Sequence, residues 1–421
     1  MHFLILLFLP LTFLSAKAFT IASYNVENLF DMQRNGYEYP QYLPYQHNWN
    51  PRTLQQKLTN ISEVICDLNA DIIALQEIEN RSILERLQKS LRQYGCHYPY
   101  AASSQTPRSA IQVAVLSKIP MQRSKDIVVK RVGGIRHILE VTYRIEGYPL
   151  YLYINHWNSK RAPESKRIAS ALALKKRLDS LPKGSEYILL GDFNSHYNEH
   201  QTIEPKNNDT QGRTGINQVL ETITSQHQMV RECNIDSQLS QHYNLWLELP
   251  IYRRWSHNFY GKKQGLDAIL IPTSLMDGRG IDYVNNSFDV LKKKYLFHPK
   301  GYIRRWEYRN HRHTRRGYSD HLPIMAHFST QPYQSQSCKI NAGRIATLHR
   351  KSVTLPVRLE QVTVTQKNKN QVTIRDRHGD QIRIFGIDTP FVLGKSYDII
   401  AHQRKLYKGA YEITDYTMEN N

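Results

Sequence analysis

Asp192 and Asn194 stand two residues apart, directly after the short apolar run Tyr187-Ile-Leu-Leu190 and Gly191. The run is long enough for a buried strand, Gly191 ends it, and side chains i and i+2 of extended chain face the same way. A carboxylate and an amide would then project together from the strand end, where they suit a bound water and a phosphoryl oxygen. Asp-x-Asn after a strand is also an ordinary turn, so the pair takes its weight from its surroundings. Other strand ends or loops offer Asn25, Glu77, His156 and Asp320-His321, and Asp267 opens a further apolar run. Each has a bland reading: Glu77 as a helix cap, His156 as a structural histidine, Asp320-His321 as a turn. Together they make an oxygen-rich site with two imidazoles. Carboxylates and amides suit a hard cation such as Mg²⁺, with Mn²⁺ or Ca²⁺ as alternatives, and histidines supply acid/base capacity near neutral pH.

The elements that must carry these groups follow from hydrophobic spacing. Residues 19–24 read as a strand running into Asn25, and a Tyr/Pro/Trp-rich loop spans 34–49. Asn50-Pro51 is a helix cap with proline at the first turn, followed by Leu54, Leu58, Ile61, Ile65 and Leu68 at helical spacing. A buried strand at 71–76 ends in Glu77, and a helix at 82–94 stops at Gly95. Strands follow at 112–117, 138–145 and 150–155, the last ending in His156. The spacing predicts a helix over 164–181 packing through Ile168, Leu172, Leu178 and Leu181. Residues 197–262 are polar and irregular. Strands at 266–271 and 324–328 close this part, which suits two packed mixed sheets flanked by helices. After a polar linker at 331–340, residues 341–421 show alternating runs at 362–364, 371–375, 381–385, 397–401 and 411–414, the pattern of a small barrel.

The chain has 421 residues, enough for two domains, and 56 Lys+Arg against 37 Asp+Glu, a formal charge of +19. That balance points to acidic partners such as nucleic acid or an anionic membrane surface. Residues 1–18 read as a secretory signal peptide, an apolar run ending in Ala16-Lys-Ala18. No later run is long enough for a membrane-spanning helix, which needs about 18 apolar residues, so an exported, soluble monomer, periplasmic or secreted, is expected. Four cysteines (Cys66, Cys96, Cys233, Cys338) allow three pairings and lack metal-finger spacing. Cys66 and Cys96 flank one helix–strand–helix unit and are the first pair to expect.

The motifs Ser23-Tyr-Asn25-Val-Glu-Asn28, Leu75-Gln-Glu77, Asn155-His156-Trp, Gly191-Asp192-Phe-Asn194, Leu266-Asp267-Ala-Ile-Leu270 and Ser319-Asp320-His321 together resemble the endonuclease/exonuclease/phosphatase superfamily, the fold of pancreatic-type deoxyribonuclease. They fall in the family's order across nearly all of 19–330. The resemblance implies a four-layer α/β sandwich with its site between the edges of two sheets. It implies that Glu77 binds a divalent metal with Asn25 beside it and Asp320 as a further ligand. Asp192 would orient or deprotonate the attacking water, and Asn194 would hold it or the phosphoryl oxygen. His156 would protonate the leaving oxygen, held by Asp267, and His321 would hydrogen-bond the phosphate and aid proton transfer, with Asp320 fixing its tautomer. Family members differ over which histidine is acid and which base, and over one metal or two. The opening motif and its Tyr/Pro/Trp loop look like the exported bacterial nuclease branch, with Asn28 and Asp31 serving the turn. Arg136 matches a family arginine that contacts phosphate, more loosely.

Two features bear on the substrate. From Lys292 to Arg316 ten cations face one acid, Glu307: Lys292, Lys293, Lys294, Lys300, Arg304, Arg305, Arg309, Arg312, Arg315 and Arg316. Tyr295, Tyr302, Trp306, Tyr308 and His311 are interleaved, so Arg304, Arg305, Trp306, Arg315, Arg316 and the lysines at 292–294 are expected to bind nucleic acid. The tail at 341–421 resembles an OB-fold, notably in Gly394-Lys-Ser-Tyr-Asp-Ile-Ile-Ala401 and Tyr407-Lys-Gly-Ala-Tyr-Glu-Ile413. Such barrels hold single-stranded nucleic acid or pack against a neighbouring domain, and the tail is expected to act on binding, with covering the sandwich as the competing reading. The reading is a secreted metal-dependent nuclease of DNA, and of RNA as a second substrate, with little sequence specificity. The alternatives are a phosphodiesterase of lipid headgroups, sphingomyelinase- or toxin-like, and a catalytically inactive OB-containing DNA-binding protein.

Overall fold

Strand Ala18–Leu29 lies inside a seven-stranded mixed sheet, antiparallel to Ile324–Ser329 on one side and parallel to Ile72–Ile78 on the other. Gln112–Ser117 and Tyr100–Ser103 continue that sheet, and Asp282–Tyr283 and Asp289–Val290 pair with Ile324–Ser329 at its far edge. A second sheet of six strands runs Met121–Ile127, Ile138–Ile145, Tyr148–His156, Glu186–Asp192, Asp267–Ile271 and Tyr243–Asn244. The two sheets pack face to face. Helices Pro51–Leu68 and Arg81–Tyr94 cover the first and Glu164–Leu178 covers the second, giving a four-layer α/β sandwich. The computed structural model describes residues 18–129, 134–335, 338–387 and 391–419. The expected signal segment lies outside them up to residue 17, and among them no helix is long and apolar enough to cross a membrane.

Local chemistry explains the first two helices. The Asn50 side chain accepts from Thr53 N at 3.0 Å with Pro51 behind it, and Asn80 accepts from Ile83 N at 3.0 Å. Gly95, at φ 100°, ends the second helix. The third helix differs from its sequence pattern: it ends at Leu178 and buries Arg167, Ser170, Ala171 and Leu174, while Leu172 faces solvent. The cause is a buried pair, Arg167 Nε on Glu164 Oε2 at 2.6 Å, which turns that polar face inward. Gly191 also plays a different part from a strand terminator. It sits within Glu186–Asp192 at φ 131°, opposite Asn155, where a Cβ would stand 2.1 Å from the Asn155 carbonyl oxygen. Only glycine lets the two strands approach this closely.

The tail forms a closed barrel of five strands: Val357–Asn368, Gln371–Arg375, Gln381–Phe385, Ala410–Glu419 and Ser396–Tyr407, the last pairing back to the first. Its core of Val357, Leu359, Val362, Ile374, Ile384, Ile399 and Ile413 is separate from the sandwich core but includes Ile251. Asp415 on the barrel is fully buried between two sandwich arginines, 3.1 Å from Arg231 and 2.5 Å from Arg254. Disulfides join Cys66 to Cys96 and Cys233 to Cys338, the second tying the sandwich to the segment entering the barrel.

Candidate active site

Strand direction assembles the site. The parallel neighbours Ala18–Leu29 and Ile72–Ile78 deliver Asn25 and Glu77 at their C-terminal ends, as Tyr148–His156 and Glu186–Asp192 deliver His156 and Asp192. Asp267–Ile271 and Ile324–Ser329 run the opposite way, so they bring Asp267 and His321 to the same edge from their N-terminal ends. Six side chains from two sheets thus meet at one seam.

Their contacts are short. Asn25 Nδ2 donates to Glu77 Oε1 at 3.0 Å and to Asp192 Oδ2 at 3.1 Å, while its Oδ1 accepts from Glu27 N. The amide therefore turns its nitrogen toward the carboxylates, and its oxygen is already engaged. His156 Nε2 lies 3.7 Å from Glu77 and 3.6 Å from Asp192. Asp192 Oδ1 accepts from Asn194 N at 2.8 Å, and Asn194, at φ 48°, donates its Nδ2 to Trp157 O at 3.1 Å. Asn194 thus turns away from the alternation expected of extended chain, because an Asx turn follows Asp192.

Two expected pairings change. Asp267 does not hold His156: its Oδ2 is 2.7 Å from His321 Nδ1 and accepts from Ser256 Oγ at 2.5 Å. His156 Nδ1 has no hydrogen-bond partner among the described residues. Asp320 does not fix His321, whose Nδ1 is taken. It lies 3.6 Å from Arg305 and 4.0 Å from Nε2 of His257. The electrostatics follow. Burial, then Arg136 and His321, pushes His156 well below its ordinary value, leaving it neutral. Burial opposes charge on His321, but Asp267, Asp192 and Asp320 outweigh it and hold the ring well above its ordinary value. Burial lifts Asp192 to about 7, and burial with nearby Asp320 raises Glu77.

Buried carboxylates held up for want of positive charge, with oxygen donors and no thiolate, fit a hard divalent cation. Ligand atoms of Asp192, Asp267 and His321 cluster within 4.8 Å, as do those of His257, Asp320 and His321.

The expected substrate cations divide. Arg136 donates to His156 O at 2.9 Å and Trp157 O at 2.6 Å, bracing the His156 loop from behind. Lys292 lies on the Trp255 ring at 4.4 Å, and burial brings it down to about 8. Arg305 grips Glu27, with Nε 2.9 Å from Oε1. Trp306 is 2% exposed, beneath Lys57 and beside His313, so it offers no face to a base. Its aromatic character serves the core. Lys293, Lys294, Arg304 and Arg316 are exposed and Arg315 half-buried.

Three residues escape the sequence reading. Glu27 is buried at φ 51° and holds Arg305 and the Trp306 amide, its carboxyl lifted by burial to about 7. Ser256 supports Asp267. His257, in the unplaced 197–262 stretch, sets its ring 4.7 Å from that of His321, tilted by 45°. The only signal for Glu27 was its place inside the first motif.

Residues 20–330 match the model of the Endonuclease/Exonuclease/phosphatase family, and the chain belongs to that family, whose members are generally phosphodiesterases. No curated protein matches the sequence. Among solved structures, D. rerio TDP2 complexed with single strand DNA product is similar at 14% identity, covering 74% of this chain and 98% of that one, with a TM-score of 0.47. Truncated Caenorhabditis elegans TDP2 is similar at 15% identity, over 74% of this chain and 97% of that one, with a TM-score of 0.44. An endonuclease/exonuclease/phosphatase family protein from Bacteroides thetaiotaomicron is similar at 14%, over 75% and 98%, with a TM-score of 0.44.

Proposed function

We propose that this is an exported, Mg²⁺-dependent nuclease that hydrolyses DNA, and RNA as a second substrate, with little sequence preference. The observation that carries the reading is the junction at Arg305. This guanidinium lies 3.6 Å from Asp320 at the seam and also lines an open cleft with Arg304, Arg309 and Arg316. A polyanion lying in the cleft would be led to the six convergent side chains. The formal charge of +19 adds long-range attraction for such a substrate. The two disulfides support an oxidising compartment.

Glu77 and Asp320 are the residues that would hold the cation, with Mn²⁺ as a substitute. An ion held there would supply Lewis-acid charge to a phosphoryl oxygen. Asp192 Oδ2, fixed by Asn25 Nδ2, takes the proton of the attacking water. His321, charged and clamped by Asp267, presents Nε2 3.9 Å from Asp192 Oδ2 and donates a hydrogen bond to the phosphate. As the water oxygen bonds to phosphorus and the bond to the leaving oxygen breaks, His321 Nε2 gives that oxygen its proton, and His156 Nε2 reaches the same pocket as a neutral hydrogen-bonding partner. The test incubates purified protein with supercoiled plasmid, single-stranded DNA and RNA, with Mg²⁺ or with EDTA. Degradation that EDTA abolishes is expected. Release of phosphocholine from vesicles with the nucleic acids intact would overturn the reading.

A further inference from the structure

The cleft joined to the seam has a volume of about 1010 Å³, at the upper end of the roughly 300–1,000 Å³ usual for ligand pockets. One side is a two-stranded hairpin, His257–Phe259 with Lys262–Gln264. The other is the segment from His298 to Gly317. Tyr260 caps the hairpin at φ 47°, followed by Gly261 at φ 84°. That left-handed pair is the turn geometry which favours Asn-Gly. A tyrosine there accepts backbone strain and, being 95% exposed, recovers little packing in return. Phe259, 50% exposed, meets it edge-on at 4.5 Å. Across the cleft His298 and Tyr302 stack at 4.4 Å with planes 8° apart. Arg304, Arg305, Arg309 and Arg316 supply charge, against Glu307 as the acid among the lining residues.

We infer that this cleft is a base-stacking subsite for an unpaired stretch of nucleic acid flanking the phosphodiester that is cut. The inference rests on the nuclease reading and adds strand state to it. Aromatic faces accept nucleobase faces of any sequence, and guanidinium groups track the phosphates. A duplex keeps its base faces stacked inside and shows only their edges in the grooves, so rings on two sides of a cleft select single strands or frayed ends. A bilayer is matched less well, because the aromatic groups border a concave site lined with arginines. Continuity with the chemistry is direct: Asn258 adjoins His257, which bridges to His321, and Arg305 neighbours Asp320.

The test is binding of the full-length protein in EDTA, read by fluorescence anisotropy. The probes are a labelled oligothymidylate, an abasic strand of equal length and a blunt duplex. Wild type should prefer oligothymidylate to both others. Tyr260→Ala should weaken oligothymidylate about 5- to 150-fold while leaving the abasic strand unchanged, and Tyr260→Phe should bind as wild type. Arg309→Gln should weaken both strands equally and flatten the salt dependence. Equal oligothymidylate affinity for Tyr260→Ala and wild type would overturn the proposal. So would a Tyr260→Ala loss seen only when the protein is co-sedimented with vesicles of phosphatidylserine in phosphatidylcholine, a separate arm of the test, which would make Tyr260 a membrane contact. Base-dependent binding without Mg²⁺-dependent cleavage supports the subsite and refutes the nuclease. Cleavage without base dependence refutes the subsite alone.

Discussion

His321 Nδ1 donates to Asp267 Oδ2 over 2.7 Å, a bond that joins the two sheets at the site. It aims the ring through Nε2 and holds its positive charge. Asp267→Asn should lower kcat about 10²- to 10⁴-fold, the usual share of a positioned acid or base. Because Asp267 raises His321, its loss should also move the alkaline limb of the pH–rate profile to lower pH. A profile unchanged in position would remove His321 as a charged participant.

Glu77→Gln keeps shape and volume but loses the anionic ligand. Turnover should vanish with the fold intact; Mg²⁺ should raise the melting temperature of the wild type and leave that of the variant unchanged. Near-wild-type cleavage at limiting Mg²⁺ would refute the metal assignment.

His156→Ala and His321→Ala should each cost about 10²- to 10⁴-fold in kcat. Both rings approach Asp192, at 3.6 and 3.9 Å, so they act on one centre and the double variant should lose far less than the product. Single-turnover rates are the measurement, and full multiplicativity would mean separate roles.

Asp415 makes the barrel part of the stability of the whole chain. Asp415→Ala leaves Arg231 and Arg254 facing each other and should destabilise the protein by about 3–5 kcal/mol, the usual effect of halving a buried pair. Burial alone would raise Asp415, yet the two arginines hold it below the usual carboxylate range. Its contribution is therefore complete above the unfolded carboxylate value and is lost as pH falls through the lowered folded value. Truncation after Ser337 also removes the partner of Cys233, so it should lower the melting temperature before it changes KM. A truncated protein with unchanged melting temperature and raised KM would restore the tail to a binding role alone.

Residue types and their order along the chain already named the fold and the groups at the seam. Each of Asn25, Glu77, His156 and Asp192 follows an apolar run, and a polar residue closing a buried strand is a local pattern. The five barrel runs and the caps at Asn50 and Asn80 are local in the same sense, and the first cysteine pair follows from one supersecondary unit. Tertiary structure decided the partners. Asp267 is far in sequence from both histidines, and strand direction, not spacing, laid it against His321. Trp306 looked like a stacking platform among cations, but Glu27, 279 residues away, draws its amide inward and the core covers the ring. Leu172 lost its expected place because Arg167 and Glu164 neutralise each other in the interior. His257 carried no periodic signal at all, since a three-residue hairpin strand is held by its neighbours and by nothing in its own pattern.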